Sequence, residues 1–150
     1  MGPFVTTKAS YLLDTNHLGL AVAPDSPLRR RLVERRRAGV RVGTCVPVLC
    51  ELEAGIQQVR EPQRYRDQLA RLLRQVTVWP IDVGTARLYG EIHFDLRRRG
   101  RVLSQCDMMI AALARQMKLV ILTTDADFSA LPDLPQENWT LPKPDPKDVL

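Results

Sequence analysis

Short apolar runs alternate along this chain with longer stretches whose apolar residues recur at helical spacing. Tyr11-Leu12-Leu13 leads directly into Asp14-Thr15-Asn16, the pattern of a short buried strand that ends in a polar turn. After Asp25-Ser26-Pro27, with Ser26 suited to cap and Pro27 to the first helical position, Leu28, Leu32 and Val33 trace one face of a helix reaching Ala38-Gly39. Val40 to Val46 reads as a second strand, and Pro47 opens a helix through Val48, Leu52 and Ile56. A further helix is expected from Pro62 to about Gln75, then a strand from Val76 to Ile81. Gly84 to Arg99 reads as a helix closed by Gly100, and Ser104 starts another that reaches Met117. The strand Leu119 to Thr123 and a turn from Thr124 to Phe128 complete the pattern.

Strands alternating with helices at this spacing predict an α/β sandwich around a mainly parallel sheet. In such sheets the functional crevice lies beyond the carboxyl ends of the strands, and Asp14 and Asp125 each follow an apolar run there. At 150 residues the chain fits one domain, taken here as 1–142. The prolines Pro142, Pro144 and Pro146 among charges mark 143–150 as a flexible tail. No apolar run approaches the length of a membrane span, and the start lacks a signal-peptide layout, so a cytoplasmic protein is expected. Met1-Gly2 with Thr6 matches the loose myristoylation pattern, with no second anchor beside it.

Charge narrows the partners. Against 17 Asp plus Glu stand 22 Lys plus Arg, a net +5, and only four of the basic residues are lysine. Arginine forks suit phosphate or carboxylate, so the surface favours nucleic acid or an acidic protein. Three cysteines (Cys45, Cys50, Cys106) have neither metal-ligand spacing nor an even count, and read as core packing in a reducing compartment.

The chemistry lies in the carboxylates. Residues three, four, seven and ten beyond Asp107 are Ile110, Ala111, Ala114 and Met117, which places Asp107 on the apolar stripe of its helix. A charge there calls for a cation, a metal or a proton. Glu51 interrupts an apolar helix, with the small pair Ala54-Gly55 a turn later leaving room for a ligand, whereas Glu53 falls on another face. Simpler roles compete: Asp107 completes a Ser-x-x-Asp cap, Asp14 and Asp125 suit turns, and Glu51 suits a solvated helix edge. As a quartet without histidine or cysteine ligands, they favour a hard cation, Mg²⁺ or Mn²⁺, acting on a phosphodiester. His17 follows the Asp14 turn and stands near enough in sequence to approach the site; His93, between Ile92 and Phe94, reads as packing. Neither has a nucleophile at a recognisable spacing, and there is no glycine-rich phosphate loop.

The segments Leu-Leu-Asp-Thr-Asn, Cys-Glu-Leu-Glu-Ala-Gly, Arg-Arg-Gly-Arg before Asp-Met-Met-Ile-Ala-Ala, and Leu-Thr-Thr-Asp-Ala-Asp-Phe occur in that order. Together they resemble a PIN-domain ribonuclease of the VapC type, the toxin half of bacterial toxin-antitoxin modules, from about Tyr11 to about Pro142. The resemblance implies a five-stranded parallel sheet flanked by helices and a homodimer. It also implies metal-dependent endonucleolytic cleavage of RNA and a cognate antitoxin, with which a hetero-oligomer would form. It assigns Asp14, Glu51 and Asp107 as principal acidic metal-site residues and Asp125 as a fourth. Asn16 and Thr124 become supporting polar groups, and Asp127 a supporting residue and the substitute for Asp125. Arg97, Arg98, Arg99 and Arg101, just before the Asp107 helix, are candidate RNA-backbone contacts; a solvated helix end is the competing account. The cluster Arg29 to Arg31 and Arg35 to Arg37 reads as solvation or an antitoxin contact. The rival to an enzyme is a catalytically inactive module that docks an arginine-rich partner or RNA. A phosphatase forming an aspartyl-phosphate at Asp14 fits less well, since Asn16 stands where a second Asp is usual.

Overall fold

The computed structural model describes residues 9–141. The expected tail over 143–150 and the Met1-Gly2 pattern lie outside the described residues. Five strands, β1 (Ser10–Leu13), β2 (Val42–Cys45), β3 (Thr77–Trp79), β4 (Leu119–Leu122) and β5 (Gln136–Glu137), form one sheet in the order β3-β2-β1-β4-β5. Every pairing is parallel, with Leu13 opposite Leu122 and Gly43 opposite Thr77. Helices α1 (Thr15–Ala21), α2 (Pro27–Arg37), α3 (Val46–Ile56), α4 (Pro62–Leu73), α5 (Val83–Arg98) and α6 (Gln105–Met117) make the crossovers, and a 3-10 helix covers Ala126–Ala130. Crossover helices on a parallel sheet bury both of its faces, so the central strands are apolar on both sides: Leu12, Leu13, Ile121 and Leu122 are all fully buried.

Two elements escaped the hydrophobic pattern. Helix α1 begins within the stretch read as a turn, because the Asp14 side chain accepts the Asn16 N–H and so nucleates a helix at once. Strand β5 has no apolar run to announce it. It is held instead by backbone bonds, Ile121 N–H to the Pro135 carbonyl and Thr123 N–H to the Glu137 carbonyl. Trp139, just beyond, packs on Tyr11 with ring centroids 4.8 Å apart and takes Arg31 and Arg35 over its ring at 4.7 and 5.7 Å.

That packing corrects the reading of the α2 arginines. Arg29 is buried and donates to the Ala21 and Val22 carbonyls at the end of α1, while Arg31 and Arg35 serve Trp139. Only Arg30, Arg36 and Arg37 of that cluster are exposed. Among the described residues, no helix is long and apolar enough to cross a membrane.

Candidate active site

Strand β1 is central, and the chain leaves it and β4 in neighbouring loops at the carboxyl edge of the sheet. The Asp14 N–H donates to the Leu122 carbonyl at 3.0 Å, extending the β1/β4 ladder one residue into the site. Asp14 is only 6% exposed. Its carboxylate accepts the Asn16 N–H at 3.0 Å and the Thr123 hydroxyl at 2.6 Å. Thr123 in turn accepts the Asp125 N–H at 2.9 Å, and Asp125 accepts the Asp127 N–H at 2.9 Å. Asn16 closes the two loops by donating its side-chain amide to the Thr124 hydroxyl at 3.1 Å. Asp14 and Asp125 thus hold turns and also present carboxylate oxygens; the two roles coexist.

Helix α6 supplies Asp107. Ser104 caps it by accepting the Asp107 N–H at 3.1 Å, as the Ser-x-x-Asp pattern expected, yet the Asp107 carboxylate still reaches the site. Asp107, Asp125 and Asp127 each bring an oxygen within 4.8 Å of the others, the geometry of a site able to hold a cation. Ile110, Ala111 and Ala114 of its expected stripe are buried, whereas Met117 is exposed at the far end. Glu51, on α3, is exposed and interacts electrostatically with Asp14 and Asp107. An added side chain at Gly55 would meet nothing within 4 Å, so the space expected beyond Glu51 is there.

The charges register this crowding. Burial pushes the Asp107 carboxyl up to about 6, with Asp125, Asp14 and Glu51 adding to the rise and the Ser104 hydroxyl opposing it. Asp14 also lies above its ordinary value, chiefly through burial, against hydrogen bonds from Thr123 and Asn16. None of the described ion pairs joins an arginine or lysine to Asp14, Glu51, Asp107, Asp125 or Asp127. An oxygen-only set of carboxylates without an internal counter-charge fits a hard divalent cation. Cys106, beside Glu51, is pushed far up by burial and by that carboxylate.

Thr123 is the residue that sequence reasoning missed. It stands at the last position of an expected strand, and the doubled Thr123-Thr124 after an apolar run is the available signal. His17 does not approach the carboxylates. It is fully buried, and its Nε2 accepts the Trp139 N–H at 3.0 Å on the other side of α1. Of the flanking arginines, Arg98 and Arg99 are paired with Asp95, and Arg99 also donates to the Ala130 carbonyl at 2.8 Å. Arg97 and Arg101 are exposed and make no ion pair among the described residues.

A model of the PIN domain family matches residues 11–134. Ribonuclease VapC5 of Mycobacterium tuberculosis is 30% identical over 128 residues, 84% of this chain and 90% of that protein. Ribonuclease VapC2 of Rickettsia felis is 24% identical, over 86% of this chain and 97% of its own. Among solved structures, VapBC2 from Rickettsia felis bound to a DNA fragment from its promoter superposes with a TM-score of 0.78 at 24% identity. That alignment covers 87% of this chain and 98% of the other. DNA-bound VapBC from Salmonella typhimurium gives 0.77 at 25% identity, with the same coverage. The five-stranded parallel order and the converging carboxylates agree with that match, and the chain belongs to the PIN-domain family, among the VapC ribonucleases.

Proposed function

We propose that this chain is a Mg²⁺- or Mn²⁺-dependent endoribonuclease acting in the cytoplasm as the toxin of a toxin-antitoxin module, partnered by a cognate antitoxin and by a second copy of itself. The observation that carries the reading is the convergence of carboxylates from the end of β1, α3, α6 and the β4 loop on one edge, with no arginine or lysine ion pair to them among the described residues. Relatives named as ribonucleases, and a solved relative described as a VapBC complex, supply the rest.

Asp107 and Asp125 would hold the ion, with Asp127 beside them and Asp14 completing the anionic wall. A bound divalent ion supplies Lewis-acid activation of a water and neutralisation of the scissile phosphate. Thr123 and the Asn16 backbone fix the Asp14 carboxylate, and Ser104 fixes the start of α6 beneath Asp107. Glu51, exposed at the site, would accept the proton that the attacking water gives up. Hydrolysis adds that water across a phosphodiester P–O bond, leaving a phosphate monoester and a free ribose hydroxyl.

An Asp107→Asn protein tests this. It keeps the Ser104 cap, which uses the backbone N–H, and is expected to fold as the parent does while losing RNA cleavage by at least two orders of magnitude in Mn²⁺. Cleavage at the parent rate by that variant would overturn the reading, and absence of cleavage by the parent with any RNA would leave an inactive binding module.

A further inference from the structure

The edge of the sheet opposite the carboxylates carries a second charged feature of the other sign. At the end of α2, Gly39 takes a left-handed φ of 86°, its N–H donates to the Arg36 carbonyl at 3.0 Å, and the Val40 N–H donates to the Arg35 carbonyl at 3.0 Å. This closed turn sets Arg36 and Arg41 on either side of one bend. At the end of α4, the Gln75 N–H donates to the Leu72 carbonyl at 2.8 Å, a tight turn that delivers Arg74 to the start of β3. Because β2 and β3 pair in parallel with Gly43 opposite Thr77, the two turns lie side by side. Arg36, Arg41 and Arg74 line one recess of about 170 Å³ walled by Val40 and Thr77.

All three arginines are exposed, no carboxylate lines the recess, and none of the three forms an ion pair among the described residues. The helix dipoles account for cations at the ends of α2 and α4, Arg36 and Arg74, but not for Arg41, which converges on both from the start of β2. An acidic site repels the polyanion it must cut, so cationic anchors are needed elsewhere. In the stretch before α6, Arg98 and Arg99 are already held by Asp95, which leaves Arg97 and Arg101 as its exposed cations without an ion pair among the described residues.

We infer that this recess binds a backbone phosphate of a folded RNA substrate, remote from the point of cleavage. The inference rests on the ribonuclease reading above. Planar guanidinium forks converging on a shallow pocket match phosphate oxygens. A four-residue strand spans about 13 Å, so an RNA touching both edges must bridge on the order of 20 Å. A folded RNA does so and a trinucleotide does not, since a strand stacked at about 3.4 Å per nucleotide falls well short at that length. The recess therefore selects for size and fold, not for base sequence.

An Arg41→Gln/Arg74→Gln protein tests the inference, with bulk tRNA and a random trinucleotide pool as probes. For tRNA, KM is expected to rise about tenfold with kcat unchanged, while trinucleotide cleavage stays at the parent level. Binding of labelled tRNA is measured by anisotropy in the Asp107→Asn background. There, the slope of log affinity against log salt is expected to shallow by about one to two, the loss of one or two phosphate contacts. An unchanged tRNA KM and salt slope would overturn the recess as an RNA site, as would equal losses on both substrates. Failure of the parent protein to cleave any RNA overturns the ribonuclease reading instead, and the anisotropy measurement still decides the recess. Loss of antitoxin capture with tRNA binding intact would assign the recess to a protein and also overturn the inference.

Discussion

Thr123 joins the two halves of the site at the level of single atoms. Its hydroxyl donates to Asp14 and accepts from the Asp125 backbone, so one side chain fixes two carboxylates. Groups that orient metal-ligating carboxylates typically change affinity or activity by about 10- to 100-fold when removed. Thr123→Val keeps the shape and removes both bonds. It is expected to lower kcat by about that factor and to move the acidic limb of the pH-rate profile upward, since Asp14 loses a hydrogen bond that favours its charged form. Thr123→Ser should restore most of the rate; a valine protein with parent kinetics would show that the bond is idle. Asp107 makes a second prediction. Its carboxyl, raised from 3.8 to about 6, must lose its proton when a cation binds, so Mn²⁺ affinity should fall about tenfold per pH unit below 6. The sign for folding is the reverse of an ordinary paired carboxylate. The folded chain binds this proton more tightly than the unfolded one, so without metal stability falls as pH rises from about 4 to about 6. Titration calorimetry at pH 5 and 7 reads the affinities, and equal values would remove Asp107 from the cation site.

The elements that carry the carboxylates depend on close packing where the sheet meets α3. Gly43, in the middle of β2, leaves no room for a side chain: an added Cβ would lie 2.4 Å from the Thr77 carbonyl and 2.6 Å from the Trp79 ring. Overfilling a packed interior costs roughly 1–3 kcal/mol, and a backbone carbonyl cannot swing aside. Gly43→Ala is expected near the upper end, a fall of roughly 10 °C in melting temperature for a chain of this size. Because β2 feeds directly into α3, the same change should disturb Glu51; a melting temperature within 2 °C of the parent would contradict the packing. At this scale the sequence was most legible where hydrophobic period and cap residue agreed. Ser26-Pro27, Ser104 and Gly100 marked α2, α6 and the end of α5 within a residue or two, because each cap acts through local bonds. Helix α1 and β5 were missed for opposite reasons. Asp14-Thr15-Asn16 looks like a turn until its side chain caps a helix. Gln136-Glu137 has polar residues, held in the sheet by the edge of β4, by Trp139 and by the Gln136 amide donating to the Phe128 carbonyl. The approach of Asp107 to Asp125 was legible because a carboxylate aligned with Ile110 and Ala111 stands out on an apolar stripe. Thr123 was not, since a threonine ending a strand is ordinary and its two partners come from distant or turning backbone.

Across the whole molecule the last described segment is tied back to the first helix through one imidazole, and that tie is sensitive to acid. His17 is fully buried; its Nε2 accepts the Trp139 N–H, which leaves the proton on Nδ1, and Nδ1 has no partner among the described residues. Burial, reinforced by the Arg31 charge, lowers its pKa from 6.5 to about 4. Protonating Nε2 would set a donor against the Trp139 donor in a site that cannot hydrate either. The unfolded chain therefore binds this proton more readily than the folded one, and stability is lost as pH falls from about 6.5 towards 4. The ceiling on the loss is about 3 kcal/mol, at 1.36 kcal/mol per pH unit. Asp107 and Asp14 push the other way over part of the same range, which masks the effect in the parent protein. In the Asp107→Asn background the larger of those opposing contributions is gone, and the urea midpoint is expected to drop clearly between pH 7 and pH 4.5. Adding His17→Gln, which keeps an acceptor but cannot be charged, should lower stability at pH 7 and flatten that pH dependence. Parallel curves for the two proteins would mean that the acid sensitivity arises elsewhere than at the joint between α1 and Trp139.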